Sequence, residues 1–171
     1  VVALAKRITF RVLVDSPAAL EAVAAAGRAA GIGIHTWLKV DCGYHRAGVD
    51  PGAPASVELV RRLLGTKGIA FDGILTHAGH SYHAQGLADR KRIAAQERLV
   101  MLEFAARCAD AGLPVSAVSI GSTPTMSVVE TLDGVAEVRP GNYVFNDWMQ
   151  VANGVCRPED VAVTVLTSVV S

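Results

Sequence analysis

The 171 residues carry 16 basic against 16 acidic side chains, enough chain for one domain with a sizeable core and no net field to draw nucleic acid or an anionic membrane. Three cysteines without a CxxC pair argue against a disulfide framework and for a reducing cytoplasm. No apolar run reaches the roughly 18 to 20 residues of a membrane span, and a composition 51% hydrophobic but only 5% aromatic suits an α/β protein whose strands are covered on both faces.

The opening VVALAKRI reads as the tail of a helix without a start signal, and the last residues stop inside a strand pattern. The chain is therefore expected to be a piece of a longer protein. Residues 8–14 are strand-like and end at Asp15-Ser16-Pro17, a helix entry with proline in the first turn. A helix follows over 17–30, closed by Gly31 and Gly33. The next strand covers 35–40, and the loop DCGYHRAG leaves it. A helix over 55–64 stops near Gly65, a strand covers 71–76, and HAGHSYHAQG forms its loop. The long helix over 87–111 ends at Gly112-Leu113-Pro114, a stop signal. Strands over 115–120 and 135–138 then run into GSTPT and RPGNY.

Strands alternating with helices imply parallel pairing and right-handed crossovers. Five units of roughly 30 residues fit the last five-eighths of a (β/α)8 barrel, although an open doubly wound sheet gives the same local pattern. Residues 1–157 are assigned to this partial TIM-like barrel. Residues 158–171, with a strand expected over 161–170, are assigned to the start of a C-terminal β domain.

The unusual residues sit in loops that follow strands, the end of a parallel barrel where ligands bind. Gly121 to Thr125 pairs a glycine with hydroxyls at a helix entry, which suits an anion or an ordinary capped turn. Arg139-Pro140-Gly141-Asn142-Tyr143 adds backbone donors, a phenol and a fixed cation. Two such loops after the last two strands match the recurrent phosphate site of such barrels. Lys39 and Asp41 share a strand face by the period of two, with Arg46 just beyond; they form either a structural ion pair or a ligand-facing group. His77, His80 and His83 are spaced residues that zinc also favours, but no nearby cysteine or HExxH completes a metal set. Contact with a ligand through His77 and Tyr82, or plain surface placement, are the other readings. Cys42 and Cys108 read as small buried residues.

Four segments in order, WLKVDCGYHRAGV, ILTHAGHSYHA, VSIGSTPT and EVRPGNYVF, resemble the signatures of the D-serine dehydratase and D-threonine aldolase group, fold-type III enzymes whose barrel is shared with alanine racemase. The resemblance spans nearly the whole chain. It implies pyridoxal 5'-phosphate as cofactor, with Ser122, Thr123, Thr125, Gly141, Asn142 and Tyr143 around its phosphate. Arg46 would reach the cofactor or the substrate carboxylate, Lys39 would orient that arginine, and His77 and Tyr82 would line the ring. Arg139 is similar in position to the racemase arginine near the ring nitrogen, a place for which the resemblance to the lyases offers Tyr82 as the alternative.

The same resemblance places the Schiff-base lysine upstream of Val1, and the ligands of a divalent metal (Zn or Mn) in a C-terminal β domain. On its own the chain is expected to be inactive. The full-length protein is expected to be a cytoplasmic homodimer, a lyase that converts D-serine to pyruvate and ammonia. D-threonine aldolase is the nearest alternative. An amino-acid racemase, a non-catalytic PLP-binding protein and a sugar-phosphate barrel enzyme stand further off.

Overall fold

The computed structural model describes residues 1–169. A single turn, α1 (Val2–Ala5), leads into β1 (Arg11–Val14), α2 (Pro17–Ala30), β2 (Ile34–Lys39), α3 (Pro54–Gly65), β3 (Ile69–Leu75), α4 (Gly86–Asp110), β4 (Val118–Ile120), α5 (Thr123–Met126), β5 (Glu137–Val138) and α6 (Trp148–Ala152). All four strand pairings are parallel, in the order β1-β2-β3-β4-β5. A doubly wound sheet reverses its strand order at a switch point. This one runs in a single direction, and it is the sheet of a partial (β/α)8 barrel.

Local chemistry sets the borders. The Ser16 side chain accepts from the Ala19 amide, Pro17 fills the first helical position, and Gly31 at φ 68° closes α2, as the capping rules require. The first strand is shorter than expected because the Ile8 amide is spent on Leu4 in the turn after α1. No strand forms over residues 161–169, where Val165, Leu166 and Val169 are exposed. The last residue of the expected strand, Val170, lies outside the described residues. Among the described residues no helix is long and apolar enough to cross a membrane.

Register decides what each side of the sheet carries, because paired residues point the same way. The row Val14, Leu38, Ile74, Val118 is buried with Leu20, Leu59, Leu63, Met101 and Phe104 in the main core. The opposite side holds the rows Leu13, Trp37, Gly73 and Lys39, Leu75, Ser119, Glu137. That side mixes apolar residues with charged ones, of which Arg11 and His35 pair with Asp72 and Glu137 pairs with Arg139.

Candidate functional site

The loop after β2 is shaped by one carboxylate. Asp41 Oδ1 accepts the amides of Gly43, Tyr44 and His45 at 2.9, 3.0 and 3.0 Å, and Oδ2 lies 2.8 Å from His45 Nδ1. Partial burial alone would raise its pKa, but the His45 and Gly43 amides and the His45 ring hold it below its ordinary value. The Lys39–Asp41 ion pair, one of the two readings open in the sequence, is not formed. The strand ends at Lys39, and the Asp41 carboxylate is consumed by its own loop. Lys39 is lowered in pKa by burial, opposed by Cys42 and reinforced by the charge of Arg46.

The loop after β3 turns through a short 3-10 segment, Gly79–His83. A side chain at Gly79 would strike the Tyr44 ring at 2.3 Å, so glycine is what lets that ring lie against the turn. Tyr44, Arg46, His77, Tyr82, His83 and Met149 line one cleft. The Arg46 guanidinium stands 5.2 Å from the Tyr44 ring centre, and the His77 and Tyr82 rings are 6.2 Å apart. His77 Nδ1 lies 3.1 Å from the Gly121 carbonyl oxygen. A carbonyl only accepts, so Nδ1 carries the proton.

The loops after β4 and β5 meet. Tyr143 donates its amide to Thr123 Oγ1 at 3.1 Å, and a cleft of about 340 Å³ opens between Thr123, Ser127, Pro140 and Tyr143, within the range of small-molecule sites. The amides of Thr123, Gly141 and Asn142 have no partner among the described residues, and nothing stands within 4 Å of where a Gly141 side chain would be. Ser122 and Thr125 are placed otherwise. Ser122 caps Thr125 and contacts Ser81 Oγ at 2.8 Å, while Thr125 donates to Glu97 at 3.0 Å. Both are buried, so their hydroxyls build the wall and do not face the cleft. Arg139 lines neither cleft. It pairs with Glu137, donates to Ser119 Oγ at 3.0 Å and lies 5.1 Å from the Trp37 ring centre.

Glu97 was absent from the expected set. It is fully buried on α4; Oε1 accepts the amides of Ala78 at 2.9 Å and Gly121 at 3.1 Å, and Oε2 accepts the Thr125 hydroxyl. The sequence held one signal. Ile93, Glu97, Met101, Phe104 and Cys108 fall on one helical stripe, and a carboxylate among apolar residues there demands donors. Burial pushes the Cys42 thiol up to about 11 and the Cys108 thiol up as well, as suits inert packing residues. Burial lowers the pKa of His80. No group of three His, Cys, Asp or Glu side chains stands together as a metal site among the described residues.

Residues 1–147 match the family model described as alanine racemase, N-terminal domain. The chain belongs to that family. Within it, the chain is 41% identical over 160 residues to a D-threo-3-hydroxyaspartate dehydratase of Delftia sp. (strain HT23), covering 94% of this chain and 42% of the relative. The solved structure of that enzyme, 39% identical, superposes with a TM-score of 0.86 over 93% of this chain and 42% of its own. A D-serine dehydratase of Dictyostelium discoideum is 41% identical over 142 residues, 79% of this chain and 36% of the relative. A D-threonine aldolase of Filomicrobium marinum, 28% identical, superposes with a TM-score of 0.82 over 94% of this chain and 43% of its own. The chain thus spans well under half the length of these members. The family match agrees with the resemblance carried by the four loop motifs.

Proposed function

We propose that the full-length protein is a pyridoxal-phosphate-dependent lyase that removes water from D-β-hydroxy amino acids, D-serine foremost. The observation that carries this is the convergence of Arg46, His77 and Tyr82 on one cleft, beside the Thr123–Tyr143 cup, in a chain 41% identical to two dehydratases of D-amino acids. The donor set suits the cofactor. A phosphate accepts N–H and O–H donors, and the Thr123 hydroxyl with the amides of Thr123, Gly141 and Asn142 supplies them. When bound, pyridoxal phosphate supplies an electron sink for the charge left at Cα.

This chain's own groups bind and orient. The Arg46 fork matches a carboxylate, and the Tyr44 ring beneath it limits where the guanidinium stands. His77, with its Nδ1 proton committed to Gly121, and Tyr82 offer the cleft two ring faces tilted by 37° to each other. Lys39 adds positive charge beside Arg46. In this reading the Schiff-base lysine and the ligands of a divalent metal come from outside residues 1–171, and the metal aids departure of the β-hydroxyl.

The full-length protein, supplied with pyridoxal phosphate and divalent zinc or manganese, should release pyruvate and ammonia from D-serine and not from L-serine. Pyruvate should exceed the acetaldehyde formed from D-threonine. Chelation should abolish turnover while the cofactor's visible absorbance persists. Arg46→Ala should lower kcat/KM by roughly 10- to 100-fold, the worth of a hydrogen-bonded charge. Dominant acetaldehyde would select the aldolase. Interconversion of D- and L-alanine without ammonia would replace the lyase with a racemase.

A further inference from the structure

We infer that Glu97 is a positioning residue, whose buried carboxylate ties the loops after β3 and β4 into the one arrangement that lets His77 and Thr123 serve the same ligand. The identity of that ligand rests on the reading of the clefts as a pyridoxal-phosphate site; the tie itself does not. Glu97 belongs to neither loop. It reaches from α4 to the amide of Ala78, the residue after His77, and to the amide of Gly121, whose carbonyl orients the His77 ring. Its second oxygen takes the Thr125 hydroxyl, and Thr125 in turn bonds Ser122, which contacts Ser81 in the β3 loop. The circuit therefore runs from one loop to the other twice, once through the carboxylate and once through the serines.

The chemistry explains why a carboxylate stands here. Ala78 is fully buried and Gly121 is buried too, so their N–H groups need acceptors within the protein. Gly121 is held at φ 121°, and a side chain there would press on the Arg139 amide at 3.2 Å and the Met126 side chain at 3.3 Å. The backbone at that point cannot easily turn its N–H elsewhere. All three partners of Glu97 are donors, and two carboxylate oxygens accept all three. Glutamine keeps an oxygen for the two amides and sets its NH2 against Thr125 Oγ1, which has lone pairs to accept it. Leucine leaves both amides without a partner.

The test uses the full-length protein as Glu97→Leu, Glu97→Gln and, for comparison, Leu63→Ala, which opens the core under α3 and touches neither loop. Each is assayed at a temperature where far-UV circular dichroism shows it folded. One readout needs no cofactor: the NMR resonance of the His77 Nδ1 proton. It should vanish or shift in Glu97→Leu and persist in Glu97→Gln and Leu63→Ala. The second is the Kd for pyridoxal phosphate, which should weaken about tenfold or more in Glu97→Leu, as for lost outer-shell partners elsewhere, and return to within about threefold in Glu97→Gln. An unchanged His77 resonance in Glu97→Leu, or equal losses in Leu63→Ala, overturns the inference. If Glu97→Leu does not fold, Thr125→Val, which cuts one of the three ties, takes its place, and an unchanged resonance and Kd there overturn it equally. An unmodified protein that binds no pyridoxal phosphate sinks the proposed cofactor, while the resonance still decides the tie.

Discussion

The two sides of the sheet are made from the same strands and do opposite work. On the helix-covered side, Val14, Leu38, Ile74 and Val118 are buried beneath Leu20, Leu59, Leu63, Met101 and Phe104, with no charged group among them. On the other side the same strands present Trp37, Lys39, Ser119 and Glu137. There Ser119 donates to Glu137 at 2.9 Å and accepts from Arg139 at 3.0 Å, and nearer the strand starts Arg11 and His35 share Asp72 at 2.6 and 2.7 Å. Alternation along a strand lets one segment serve both. Stability comes from the first side, where each large side chain contributes about 1.5–3 kcal/mol by leaving water; the second holds polar groups in defined places at little net gain.

Unfolding measurements can break that division. Phe104→Ala removes a ring that is 1% exposed on the helix-covered side, and should lower the urea-unfolding free energy by about 3–5 kcal/mol. Gly27→Ala should cost about 1–3 kcal/mol by overpacking, since its methyl would meet the Gly68 carbonyl oxygen at 2.1 Å. Arg139→Ala, which removes a pair whose partners are each 38% exposed, should cost at most about 1 kcal/mol. A loss from Arg139→Ala equal to that from Phe104→Ala would show that the polar side carries the fold as well.

The helix-covered side was also the side legible in sequence. Ser16, Pro17 and Gly31 define α2 to the residue, because caps are local chemistry. The five parallel strands followed from alternation, though their order did not, and Arg46, His77 and Tyr82 were expected together and share a cleft. What sequence could not show were partners chosen across the fold. Ser122 and Thr125 look like free hydroxyls in GSTPT, yet Ser81 and Glu97, 41 and 28 residues away, take them inward. Lys39 and Asp41 obey the period of two only while the strand lasts, and it ends at Lys39. Arg139 looked like a ligand-facing cation until Glu137, two residues before it, and Trp37 from β2 claimed it.

The smallest effect expected is local, and it tests whether the polar side is held by individual groups. Asp41 gathers three amides and the His45 ring. Its pKa in the folded chain is lowered, so its contribution is fully present above the ordinary carboxylate value, about 3.9, and is lost as pH falls through the lower, folded value. A protonated carboxyl is a poorer acceptor, and the loop that carries Arg46 should loosen first. Amide exchange of Gly43, Tyr44 and His45, normalised for its intrinsic pH dependence, should therefore rise at acid pH before that of Leu38 or Ile74, as a local opening rather than global unfolding. Asp41→Asn should make the three amides exchange faster at neutral pH and remove the acid step, while the urea midpoint stays nearly where it was. Simultaneous loss of protection at Gly43 and at Ile74 would mean that the loop and the core open together, and the division between the two sides would fail at the place where it meets the site.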